Sequence, residues 1–216
     1  MSNELLNLCK KYKDLPYMQY EQAKVIQDII IENNFNKILE LGFYHGKSSL
    51  LIASILSNIT NGHLTTLDIE SATTRTPNIY KLLKDEKLSH KVTVKVCRRS
   101  YTFELMNEII SSSRPKYDLC YFDGGHTLDY TGFGFYLVDK LLNPGGIIIF
   151  DDLNWTIEKS QDAQKSKNSY QNYSDDEKKM QAVRVIFEHL VKDSGYECTE
   201  IKKLGWGIAR KIKIPQ

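Results

Sequence analysis

The stretch from Lys37 to Ser49 restricts what this chain can fold into more than any other. A short apolar run, Lys37-Ile38-Leu39-Glu40-Leu41, gives way at Gly42 to a turn that closes at Gly46, and Leu50, Leu51, Ile52, Ala53, Ile55 and Leu56 then recur at helical spacing. The order is buried strand, tight turn, amphipathic helix, which is the first half of a βαβ unit. Gly42 and Gly46 are free to take backbone angles that a Cβ disfavours and let a ligand approach the chain closely, while the free N–H groups that open the helix favour an anion. A cofactor carboxylate fits there. The dinucleotide pattern G-x-G-x-x-G is absent, and a phosphate-binding loop would need glycine where Leu41 stands.

Strand and helix signals alternate on either side of this unit. A helical pattern in Leu5, Leu6, Cys9 and Tyr12 stops before Pro16, and a second covers Tyr20 to Asn33. Beyond the turn, the strand His63–Leu67 ends at Asp68. A helix from Ile79 to Leu88, a strand from Val92 to Val96 and a helix from Phe103 to Ile110 follow. The strand from Tyr117 carries Asp123 to its end, and a helix runs from Leu128 to Leu142. Asn143-Pro144-Gly145-Gly146 then turns the chain into Ile147–Phe150, which ends in Asp151-Asp152. Three carboxylates thus reach the edge at which open parallel sheets bind ligands. The polar run Trp155 to Ser174 shows no period and reads as an insertion over the site. Ser174-Asp175-Asp176-Glu177 caps a long helix with Met180, Val183, Ile186, Phe187 and Leu190 toward the core, and two β-like runs, Tyr196–Ile201 and Gly205–Ile212, close the chain. At 216 residues one α/β domain is expected: N-terminal helices (1–35), a cofactor-binding core (37–152), a substrate-side insertion (153–174), and a final helix with a strand pair (175–216).

Glu40-Leu41-Gly42-Phe43-Tyr44-His45-Gly46-Lys47-Ser48 resembles motif I of class I S-adenosylmethionine-dependent methyltransferases, in the variant of the catechol and caffeoyl-CoA O-methyltransferases, where an aromatic residue replaces the central glycine. The run Asp123 to Trp155 resembles their later motifs. Its Asp-Gly-x-His and Pro-Gly-Gly-x-(apolar)-Asp-Asp patterns are nearer to bacterial small-molecule and sugar O-methyltransferases. The resemblance implies a Rossmann-like sandwich: a seven-stranded, mostly parallel sheet with an antiparallel C-terminal strand and helices on both faces. It implies that Glu40, Gly42, Tyr44, His45, Gly46, Ser48, Asp68, Ser100 and Asp123 bind S-adenosylmethionine. Asp68, at the end of the second strand, is placed to accept from ribose hydroxyls; the family more often has Glu there, and Glu70 is the substitute. Ser100 stands where a small residue contacts adenine, although Arg98-Arg99 before it depart from the family pattern. Asp123, Asp151 and Asp152 are hard oxygen donors suited to Mg2+ or Mn2+. Such an ion would align two acceptor oxygens and favour deprotonation of one. His126 is either the base that takes the hydroxyl proton, together with Asp123 at the catalytic edge, or a further metal ligand.

With 29 basic against 27 acidic side chains the chain has no field that attracts nucleic acid or a membrane surface, which leaves a small-molecule acceptor as the expected partner. A homodimer is left open. Cys9, Cys97, Cys120 and Cys198 are widely spaced and read as reduced thiols; with no leader or spanning run, the expected location is the cytoplasm. Two other readings stand beside the metal-assisted O-methyltransferase. One is a metal-independent N- or O-methyltransferase, the other a non-catalytic module that binds a partner through 155–174.

Overall fold

The computed structural model describes residues 2–165 and 170–212. Helices α1 (Ser2–Lys11) and α2 (Tyr20–Glu32) lead into β1 (Lys37–Leu41). There follow α3 (Lys47–Ser57), β2 (His63–Ile69), the short α4 (Glu70–Thr73), α5 (Ile79–Asp85), β3 (Val92–Cys97), α6 (Tyr101–Ile110), β4 (Tyr117–Phe122), α7 (Leu128–Leu141) and β5 (Leu142–Phe150). After the insertion come β6 (Tyr196–Ile201) and β7 (Trp206–Lys211). The sheet order is β3-β2-β1-β4-β5-β7-β6, and β7 alone runs antiparallel to its neighbours. The seven-stranded Rossmann-like sandwich expected from the sequence is the architecture observed.

Register decides where the site lies. Leu41 pairs with Leu67 on one side and Phe122 on the other, and Phe122 pairs with Phe150, so these four residues form one row across the sheet. The residues that follow them, Asp68, Gly42, Asp123 and Asp151, therefore emerge along a single edge. Chain order reverses beside β1, and that reversal opens the crevice in which doubly wound sheets hold ligands.

Alternation along β4 divides the core. Leu119 and Tyr121 pack with α1, α2 and α3 through residues such as Leu5, Ile26, Ile30 and Leu51, while Cys120 and Phe122 face Leu105, Phe135, Val138 and Phe187 on the other side. Cover on both faces is why the central strands read as unbroken apolar runs.

Three boundaries differ from the sequence reading. β5 begins at Leu142, paired with Tyr117, and a register shift absorbs Asn143–Gly146 inside the strand rather than before it. The insertion has local structure, a 3-10 turn at Ile157–Lys159 and α8 (Gln161–Lys165), although its residues 166–169, like 213–216 of the final segment, lie outside the described residues. The long C-terminal helix is broken. Ser174 and Glu177 form a reciprocal capping box on α9 (Asp175–Lys179), the chain then leaves helical angles at Met180 and Gln181, and α10 (Ala182–Val185) restarts and passes into a π-helical stretch, Ile186–Val191. The wider π turn adds a residue per turn and shifts the phase. Val191 takes the buried position, and Leu190, expected in the core, is 53% exposed. Among the described residues no helix is long and apolar enough to cross a membrane.

Candidate active site

A cavity of about 440 Å³ opens on the edge defined by the register. The turn after β1 supplies Gly42, Tyr44 and His45, α3 supplies Lys47 and Ser48, and Asp68, Asp123, His126, Asp151 and Asp152 come from the strand ends. The segment between α1 and α2 adds Pro16, Tyr17 and Met18, and the insertion adds Trp155 and Ser160. Tyr20, the first residue of α2, lies outside this wall.

The glycine turn is held from beneath. Asp68 accepts from the N–H groups of Phe43 (2.8 Å) and Tyr44 (2.7 Å) through one carboxylate oxygen and of Ile69 (2.7 Å) through the other. Gly42 has φ +90°, and a Cβ there would lie 2.4 Å from the carbonyl oxygen of Asp123. Glycine is therefore demanded by the end of β4, a packing reason that local sequence does not reveal. Tyr44 is itself left-handed (φ +51°); the guanidinium of Arg75 lies 3.4 Å from its ring centroid, and Tyr17 meets the ring edge-on at 5.0 Å. His45 Nδ1 donates to the carbonyl of Pro77 (2.7 Å). Glu40 is wholly buried below the cavity: one oxygen accepts from Ser49 Oγ and from Thr66 Oγ1 (2.5 Å), the other has no partner, and burial pushes its pKa up to about 7. Gly46 stands behind the wall, with Ile79 filling the space a Cβ would need. Ser100 does not line the cavity; its Oγ caps α6 by accepting from Thr102 N–H (3.1 Å).

The three carboxylates are not equivalent. Asp151 is buried and committed, accepting from Trp206 Nε1 (2.7 Å) and its neighbour's N–H (2.7 Å) through one oxygen and from the Tyr121 hydroxyl through the other. Asp152 has φ +55°, which turns its carboxylate back toward His126. His126 Nε2 lies 3.5 Å from Asp152 and 3.7 Å from Asp123, without a hydrogen-bond partner, and its ring stacks on Trp155 at 5.1 Å. One donor atom from each of Asp123, His126 and Asp152 lies within 4.8 Å of the others. Asp151 is thus engaged by Trp206 and Tyr121, whereas His126, the further ligand considered from the sequence, lies with Asp123 and Asp152. Burial, reinforced by Asp151 and Asp152, pushes the Asp123 carboxyl up against the opposing pull of His126. For His126, burial works downward, and the carboxylates of Asp123, Asp152 and Asp151 outweigh it and hold the imidazole above its usual value.

Two carboxylates and an imidazole fit a divalent ion, the unpartnered Nε2 being the observation that favours one. Sequence reasoning missed Trp206, Tyr121, Trp155 and Lys47, whose roles arise from contacts far along the chain.

Residues 39–153 match the family described as "Methyltransferase domain". No curated protein matches the chain. Among solved structures, a candidate caffeoyl-CoA O-methyltransferase from Staphylococcus aureus superposes with TM-score 0.69 at 21% identity, covering 98% of this chain and 92% of that one. The O-methyltransferase of Bacillus cereus in complex with S-adenosylhomocysteine gives 0.66 at 19% identity (98% and 90% covered), and TomG of Streptomyces achromogenes, an O-methyltransferase of tomaymycin synthesis in complex with S-adenosylmethionine, gives 0.65 at 19% (98% and 89% covered).

Proposed function

The chain belongs to the methyltransferase-domain family and is an S-adenosylmethionine-dependent methyltransferase; from that premise we propose that it methylates a hydroxyl of a small catechol-like or sugar-like molecule, with a divalent ion at Asp123, His126 and Asp152. The observation that carries this reading is the meeting, in one cavity, of the glycine turn with that donor group. A bound ion there would lower the pKa of an acceptor hydroxyl and align two adjacent oxygens. The chain's own part is to orient. Asp68 fixes the turn that faces the cofactor, and Tyr17, Trp155 and Ser160 line the same cavity from the segment before α2 and from the insertion. The structural neighbours described above as O-methyltransferases support oxygen as the target. Free cysteines throughout, three of them buried, support a reducing compartment such as the cytoplasm.

A second reading rests on the same imidazole. Without an ion, His126 Nε2, unpartnered between two carboxylates, is itself the base that takes the hydroxyl proton, and Asp123 stabilises the imidazolium. A screen of hydroxylated compounds that detects S-adenosylhomocysteine release, run with chelator and then with Mn2+ or Mg2+ restored, separates the two. Loss and recovery of turnover support the ion; full turnover in chelator, with no metal by elemental analysis, leaves His126 as a simple base.

A further inference from the structure

Lys47 is the second residue of the turn's exit and the first of α3, and it is only 3% exposed. A cation in that place is doubly disfavoured, because it sits at the positive end of the helix dipole and because a buried ammonium without an anion is costly. Its partners are two carbonyl oxygens, Leu15 at 2.9 Å and Tyr17 at 3.3 Å, and among the described residues no carboxylate pairs with it. Burial accordingly pulls its pKa down. An ammonium carries three N–H bonds, so one remains for the cavity that Lys47 lines beside Gly42, Ser48 and Asp68.

The two carbonyls belong to the segment 13–19, which walls the same cavity through Pro16, Tyr17 and Met18. Tyr17 holds left-handed angles (φ +62°) and lays its ring against Tyr44 of the glycine turn. The segment is therefore fastened at two points to the turn and the helix start, one of them a buried charge that lacks its counter-ion.

We infer that Lys47 is the counter-ion for the carboxylate at the amino-acid end of the cofactor, and that the same ammonium, through Leu15 and Tyr17, fastens segment 13–19 over that end. The inference rests on the S-adenosylmethionine reading above. It makes cofactor binding and closure of the segment mutually reinforcing, since a carboxylate that neutralises Lys47 favours the arrangement in which the ammonium stays buried under the two carbonyls.

The test compares S-adenosylhomocysteine with its decarboxylated analogue, which keeps the nucleoside, thioether and amine and lacks only the carboxylate. By calorimetry, Lys47→Met should weaken S-adenosylhomocysteine by about tenfold or more, the scale of a charge-assisted hydrogen bond, and leave the analogue within about twofold. Hydrogen exchange on the unmodified chain needs no variant: S-adenosylhomocysteine should slow exchange in 13–19, and the analogue should not. Equal weakening of both compounds, unchanged affinity for S-adenosylhomocysteine, or equal protection of 13–19 by both would each overturn the inference while leaving the methyltransferase reading intact. Binding of neither compound by the unmodified chain would instead overturn the cofactor reading, and this inference with it.

Discussion

Glu40→Gln isolates the energetic cost of a carboxylate sealed beneath the cofactor cavity. Burial raises the Glu40 pKa to about 7, against the hydrogen bonds from Ser49 and Thr66 that favour the charged form, and the charge of Asp68 adds to the rise. The ordinary value, taken for the unfolded chain, is 4.5. Between these values the folded chain keeps a proton that the unfolded chain has released, so the contribution of Glu40 to stability falls as pH rises through the window and levels off above about 7. The gap is about 2.5 pH units, and at ~1.4 kcal/mol for each it amounts to roughly 3–4 kcal/mol. Gln keeps the shape and an acceptor for the two hydroxyls but cannot ionise. Relative to the unmodified chain, the variant should therefore gain about 2–3 kcal/mol between about pH 5 and about pH 8, while titrations common to both proteins cancel. Urea unfolding of the two proteins at both pH values, followed by far-ultraviolet circular dichroism, measures that difference of differences. A constant offset between the proteins across the window would refute the reasoning, because it would mean that Glu40 ionises alike in the folded and unfolded chains.

Gly42→Ala combines a left-handed backbone with a Cβ 2.4 Å from the Asp123 carbonyl, and should cost about 3 kcal/mol or more in denaturant unfolding; a variant of unchanged stability would place the constraint elsewhere. Asp68→Ala should leave the N–H groups of Phe43, Tyr44 and Ile69 without their acceptor, so that hydrogen exchange at 43 and 44 accelerates and S-adenosylhomocysteine affinity falls by at least about tenfold. Trp206→Phe removes the indole N–H that serves Asp151, a loss of about 1.5–3 kcal/mol, which in a chain of this length lowers Tm by roughly 3–12 °C in a thermal scan.

What was legible in the sequence and what was not divide along the reach of the interactions involved. The strand, turn and helix around Gly42 announce themselves within a dozen or so residues, since apolar periodicity and glycine act locally, and the register then carries Asp68, Asp123 and Asp151 to one edge without further information. Asp151 and Asp152, by contrast, are chemically identical neighbours, and only the fold distinguishes them. Trp206 reaches Asp151 from β7, 55 residues along the chain, and Tyr121 reaches it from β4, 30 residues back. Together with the neighbouring N–H they saturate one carboxylate, while the left-handed angle at Asp152 aims the other at an imidazole that local pattern had left with two alternative roles. Lys47 follows the same logic, its partners lying 30 and 32 residues upstream in a segment whose own sequence offers a proline and a single aromatic as its only distinctive features. The phase of the last helix failed for a shorter-range reason, because a π turn depends on how Ile186 and Phe187 settle against the sheet, and a fixed period of 3.6 carried past it must put Leu190 where Val191 belongs. In each case the missing term is a contact supplied by another element. Pattern can therefore name the edge at which chemistry occurs, but the division of labour among the acids on that edge depends on the strand that closes the sheet.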